Sequence, residues 1–104
     1  MEVDYTLLGL AIKQIRMSRK MTQEQLGKLA GVGNSCISRI EAGERAFSIP
    51  KINALGEALG IPPSWIYFLA TDARGVGPLN EAIRGVQELI RLEIGVDLKI
   101  TGGA

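Results

Sequence analysis

Apolar positions recur along this chain at helical spacing, and the points where the spacing breaks divide it into short segments. Leu8, Ile12 and Ile15 lie four and three residues apart, with Lys13, Gln14 and Arg16 between and after them, which predicts an amphipathic helix over residues 6–19. Gly9 lowers the intrinsic propensity of that helix by about 1 kcal/mol relative to alanine, so it depends on packing. Leu26, Leu29 and Ala30 mark a second helix over 22–30, and Ile37 with Ile40 a third over 34–42. Ile49, Ile52, Leu55 and Leu59 predict the inward face of a fourth, and Trp65, Ile66 and Leu69 that of a fifth. After the glycine- and proline-bearing run Thr71 to Pro78, a sixth helix is predicted with Leu79, Ile83, Val86 and Ile90 on one stripe, widened by Ala82, Leu89 and Ile94. Residues 96–100, VDLKI, alternate as a short strand would.

Helix starts and stops are also specified locally. Thr22 can cap the second helix with Gln25 completing a capping box, while Met21 and Leu26 are spaced as a hydrophobic staple. Gly31, Gly43 and Gly60 follow the second, third and fourth helices, where a left-handed residue ends a helix at least cost. Ser48 is placed to cap the fourth helix ahead of Pro50, and Pro62 with Pro63 opens the fifth. The expectation is an all-α chain: a five-helix domain over residues 1–70, a linker over 71–78, and a C-terminal helix and tail over 79–104.

Composition adds limits. The 104 residues are 46% hydrophobic and 22% charged, as in an ordinary single domain. Net charge is only +1, but its distribution is uneven. Lys13 to Arg45 holds seven cations against three anions, whereas residues 71–104 hold four against five. A polyanion-binding face is therefore expected on the first half. Cys36 stands alone, which excludes an internal disulfide and suits a reducing compartment; as a small filler or a redox sensor, it is expected to be filler. Without histidine, no metal site or cofactor is expected, and no nucleophile has a base to activate it, so an enzyme is not expected. The start MEVDYTLL lacks the basic and apolar regions of a signal peptide, and a cytoplasmic location is expected.

The second and third segments together form a helix-turn-helix pattern, and the third divides by face. Cys36, Ile37 and Ile40 point inward, while Asn34 with Ser38 and Ser35 with Arg39 form outward pairs four residues apart. In units of this kind that bind double-stranded DNA, the second helix brings its first residues to the base edges of the major groove. An asparagine amide suits adenine and an arginine fork suits guanine, with serine able to serve base or phosphate.

The run Thr22 to Gly43, with Ile37-Ser38-Arg39-Ile40-Glu41-x-Gly43, resembles the Cro/C1-type (xenobiotic-response-element-type) helix-turn-helix family, which includes the phage repressors. The likeness continues through Phe47-Ser48-Ile49, Ala58-Leu59-Gly60-Ile61 and Ser64-Trp65-Ile66, and covers about residues 6–70. It implies a compact five-helix, phage-repressor-like DNA-binding domain, usually dimeric, that binds a roughly palindromic operator. Carried onto this sequence, it gives Asn34, Ser35 and Arg39 base-reading positions with Ser38 beside them. It gives Gln23 a phosphate contact, has Arg16 pair with Glu41 and contact phosphate as well, and puts Arg45 in a loop that meets the phosphate backbone. Thr22, Leu26, Ile37, Ile40 and Glu41 would support the motif. Gly27 stands where the family usually has alanine, which is expected to soften the second helix, and Lys20 where it usually has glycine.

The tail stripe can fold back on its own domain or pair with that of a second subunit. Pairing through Leu79, Ile83, Val86 and Ile90 is the expectation, because the linker separates the stripe from a core that the family completes without it. The chain is accordingly expected to be a transcriptional regulator, a repressor or autoregulatory controller acting as a homodimer. The alternative is an antitoxin-like module whose tail binds a partner protein.

Overall fold

The computed structural model describes residues 4–44 and 48–95. Its elements are helices α1 (Tyr5–Ser18), α2 (Gln23–Ala30), α3 (Asn34–Glu41), α4 (Ile49–Leu59) and α5 (Pro63–Leu69), a 3₁₀ segment (Ala73–Leu79), and α6 (Asn80–Ile94). No strand occurs among the described residues, as the all-α expectation required; the strand expected at Val96 to Ile100 lies outside them. No described helix is long and apolar enough to cross a membrane.

The helix boundaries follow from their caps. Asp4 accepts a hydrogen bond from the Leu7 amide at 3.0 Å, and its own amide donates to the Ala70 carbonyl at 2.9 Å, tying the start of α1 to the end of α5. Both halves of the capping box form at α2: the Gln25 amide donates to Thr22 Oγ1 at 3.0 Å, and the Thr22 amide donates to Gln25 Oε1 at 2.8 Å. Gly31 and Gly60 end α2 and α4 at φ of 68° and 75°. Lys20, the residue that replaces the family's usual glycine, does adopt the left-handed region, at φ 57°.

α1 packs against α3 and α5, α2 lies on α3 and α4, and α6 closes over α5. Leu8, Ile12, Ile15, Leu26, Ile37, Ile40, Ile52, Leu55 and Ile66 fill the centre, each almost fully buried. Two inward assignments are corrected. Leu29 is 64% exposed and Ile49 65% exposed, because each lies one step round its helix from the stripe that packs. The roles given to Gly9 and Gly27 change as well. A Cβ on Gly9 would come within 2.2 Å of the Ile40 carbonyl oxygen, and one on Gly27 within 2.6 Å of the Val32 oxygen. Both glycines permit close backbone approach, Gly9 between α1 and α3 and Gly27 beneath the turn that joins α2 to α3. Their cost in propensity is incurred for a contact.

Residues 71–78, a linker by composition, carry their own order. Asp72 caps the 3₁₀ segment by accepting from the Arg74 amide at 3.0 Å, Thr71 and Ala73 are buried, and Gly77 breaks the helical path at φ 59°, ψ −128°. α6 is held down by Gln87, whose amide nitrogen donates to the carbonyls of Phe68 at 3.0 Å and Thr71 at 2.8 Å. Ile90 and Ile94 join the core of the same chain.

Candidate nucleic-acid interface

α3 is an eight-residue helix with two unlike faces. Ile37 and Ile40 are fully buried and Cys36 is half-buried against the same core, while Asn34, Ser35, Ser38 and Arg39 are exposed. The four expected base readers thus share one accessible surface. Asn34 and Ser35 lie in the first turn, where Gly33 is the N-cap and contributes no side-chain hydrogen bond. Arg39, one turn further on, donates through Nε to Glu44 Oε1 at 3.4 Å. Both side chains of that pair are more than half exposed, and such a pair is worth little, so the guanidinium can be exchanged onto another acceptor at small cost.

What holds α3 at a fixed angle is a buried ionic network. Arg16 Nε and Nη2 donate to Glu41 Oε2 and Oε1 at 2.7 and 2.9 Å, and Nη1 donates to the Met21 carbonyl at 2.7 Å. The Arg16 and Glu41 side chains are 12% and 4% exposed. Gln23 Nε2 donates to Glu41 Oε1 at 3.2 Å. One carboxylate at the end of α3 therefore gathers α1 and α2 onto the same point, and a fork-on-carboxylate geometry fixes orientation as well as distance. Three donor nitrogens of Arg16 are occupied inside the molecule. Gln23, at the first position of α2, is half-buried and oriented by Glu41. Arg45 and Phe47 lie outside the described residues.

The residues expected to pair subunits do not stay together. Leu79 and Val86 are exposed at 62% and 41%, Ile83 is half-buried, and Ile90 is 8% exposed within the core of its own chain. Ile90 is thus corrected from partner-facing to domain-facing. α6 and its N-cap Leu79 carry two stripes: Ile83, Gln87, Ile90 and Ile94 turn toward the domain, and Leu79, Ala82, Val86 and Leu89 turn outward at spacings of three, four and three. Between the outward stripe and α5 runs a groove of about 440 Å³ lined by Trp65, Phe68, Val86 and Leu89.

Two contributors had no signal in the sequence. Arg19 donates to the Leu59 carbonyl at 3.2 Å and the Ile94 carbonyl at 3.1 Å, joining the last turns of α4 and α6, where a cation complements the helix dipoles. Its place beside Lys20 in a cationic stretch indicates neither carbonyl. Gln87 stands at helical spacing between Ile83 and Ile90, but its polar side chain says nothing of the two carbonyls that its buried amide meets.

Comparison with known proteins agrees with this geometry. The family model described as helix-turn-helix matches residues 12–66, which takes in α2, α3 and α4 whole. The HTH-type transcriptional repressor RghR of Bacillus subtilis is 40% identical over 63 residues, 60% of this chain and 47% of that protein, so the chain spans about half of its length. Control protein C.BamHI of Bacillus amyloliquefaciens is 38% identical over 58 residues, 55% of this chain and 72% of its own. Among solved structures, the restriction-modification controller protein C.AhdI from Aeromonas hydrophila superposes with a TM-score of 0.60 at 30% identity, over 62% of this chain and 97% of its own. The clp gene regulator ClgR from Corynebacterium glutamicum, with a TM-score of 0.62 over 88% of this chain and 95% of its own, is 20% identical and shares the fold. With more than half of its length matched, and with α2 and α3 forming the motif, the chain belongs to the Cro/C1-type helix-turn-helix family.

Proposed function

We propose that this protein is a sequence-specific DNA-binding transcriptional regulator, a repressor or autoregulatory controller that acts as a homodimer on an operator with two symmetry-related half-sites. The observation that carries the reading is the division of α3: an apolar face locked in the core and an opposite face made only of exposed hydrogen-bonding side chains. α3 enters the major groove with its first turn leading. Asn34 reads adenine through its amide, Arg39 reads guanine through its fork, and Ser35 and Ser38 contact base or phosphate. Gln23 and Arg45 meet the phosphate backbone, and the net +4 of Lys13 to Arg45 supplies the salt-dependent part of the affinity. Arg16 serves by orienting Glu41 and Gln23, since its donors are already committed.

Two copies of α3 on one face of DNA must lie about 34 Å apart, one helical turn, which requires a fixed dimer. The outward stripe Leu79, Ala82, Val86 and Leu89 has the three-four spacing of a coiled-coil seam, and the groove beside it can receive the same stripe of a second copy.

Arg39→Ala tests the reading. A loss of about 1 to 3 kcal/mol on the preferred site, with relaxed preference at one base pair per half-site, is expected; equal weakening on every sequence would make Arg39 a phosphate contact. Gln23→Ala is expected to weaken specific and random DNA alike. Leu89→Glu, followed by sedimentation equilibrium, tests the seam: a monomer with weakened operator binding is expected. An unchanged dimer would return the stripe to the antitoxin-like alternative, in which it serves a different protein.

A further inference from the structure

Two buried donors on facing helices have no acceptor: Gln14 Nε2 on α1 and Arg91 Nε on α6. Gln14 is 7% exposed. Both side chains line a recess of about 40 Å³ that is otherwise apolar, walled by Leu7, Leu10, Ala11 and Leu69. Buried polar groups are almost always hydrogen-bonded, and two unpaired donors on residues that line one space indicate what that space lacks. It lacks an acceptor, and next to a guanidinium the best acceptor is an anion.

The recess shares Leu7, Leu69 and Arg91 with a wider crevice of about 630 Å³, walled by the start of α1, the 3₁₀ segment and α6. Most polar groups on these walls are already committed. Asp4 caps α1, Asp72 is bound to Arg74 at 2.8 Å, and Gln87 holds two carbonyls. Across the crevice Asp4, Asp72 and Glu88 balance Arg74, Arg84 and Arg91, and of the three cations it is Arg91 that carries a buried nitrogen without an acceptor. Burial pushes the Arg91 guanidinium below its ordinary pKa, and Glu88 offsets part of this. Leu7, Leu69 and Ala73 give the crevice an apolar floor. The crevice is mainly polar, and the apolar residues it offers an occupant are few, beside the recess that holds the two unpaired donors.

We propose that this crevice is an effector site for a small organic carboxylate, whose two oxygens accept from Gln14 Nε2 and Arg91 Nε while its apolar body lies over Leu7, Leu69 and Ala73. An occupant bridges α1 and α6, so it stiffens the docking of the helix that carries the outward stripe. The site is independent of the DNA-reading face, and its failure leaves that reading untouched.

The test is nuclear magnetic resonance of the full chain titrated with hexanoate at constant ionic strength, with hexanamide and inorganic phosphate as comparison probes. The Gln14 side-chain amide and Arg91 Nε–H signals should move saturably with hexanoate alone, and the α6 amides should exchange more slowly when it is bound. Gln14→Met, which keeps the length and fills the recess, should weaken hexanoate at least tenfold without changing the melting temperature by more than a few degrees, and Arg91→Gln should do the same. Equal shifts with hexanamide, tighter binding of phosphate, unsaturable shifts, or wild-type affinity in Gln14→Met would each overturn the site. If Arg91→Gln loosens α6, the Gln14→Met titration decides alone.

Discussion

Gly9→Ala gives the sharpest test of how α3 is seated. Inside a helix, this substitution normally stabilises by about 1 kcal/mol. Here the new Cβ would fall 2.2 Å from the Ile40 carbonyl oxygen and 3.0 Å from that of Glu41, where ordinary contact begins at 3.4 Å. Both obstacles are backbone atoms of α3, so no side chain can swing away, and α1 must retreat by roughly 1 Å from α3. A gap of that size forfeits a large share of the dispersion contacts of Ile12, Ile15, Ile37 and Ile40 around it. Overpacking of this kind costs about 1 to 3 kcal/mol, and rigid neighbours put it at the upper end. Set against the propensity gain, the net loss is about 2 kcal/mol, or a melting temperature lower by about 8 to 16 °C in a domain of this size. Gly85→Ala is the matched reference, since a Cβ there meets nothing within 4 Å and only the gain should remain. Thermal and urea unfolding of the two variants should therefore differ in sign. A Gly9→Ala protein as stable as Gly85→Ala would refute the claim that α1 and α3 touch through their backbones.

Arg16→Ala should cost about 3 to 5 kcal/mol of unfolding free energy, because it strands the buried Glu41 carboxylate; Arg16→Met with Glu41→Leu should recover most of that in urea titrations. The same double variant should keep the salt dependence of random-DNA binding, since all three donor nitrogens of Arg16 are engaged inside the molecule. Gln87→Ala should cost about 1 to 3 kcal/mol and, in hydrogen exchange, speed the amides of α6 more than those of α2 and α3, because it takes the side-chain donor from the buried Thr71 carbonyl and one of the donors from that of Phe68, which keeps the Thr71 amide. Tyr67, whose hydroxyl is buried without a partner, has its pKa raised by that burial. A raised folded-state value means its contribution is intact below the ordinary tyrosine range and lost as pH rises through it, so wild type should lose stability above about pH 10 faster than Tyr67→Phe.

The elements most visible in the sequence are those whose signals are local. Thr22 and Gln25 lie three residues apart and specify the start of α2 by themselves, and Gly31 and Gly60 end helices through their own φ angles. The exposed face of α3 was visible for the same reason, because Ile37 and Ile40 fix which side is inward. Spacing alone does not give the width of the stripe that packs, and so Leu29 and Ile49 stand outside the core despite their periodicity. Contacts between distant segments leave still less trace. Gly9 against Ile40, Arg19 against Leu59 and Ile94, and Gln87 against Phe68 and Thr71 depend on how helices far apart in sequence come together. The widened stripe on α6 had too many apolar positions for one face, and only packing separates Ile90 from Val86.

Selection of bound sites from a random DNA pool, run in parallel with the wild-type chain and Arg39→Ala, tests most directly whether the outward face of α3 reads sequence. The wild type should enrich two symmetry-related half-sites with centres about one helical turn apart, and Arg39→Ala should lose preference at one base pair in each while keeping the rest. No enrichment, or an enriched sequence unaltered by Arg39→Ala and by Asn34→Ala alike, would contradict the account.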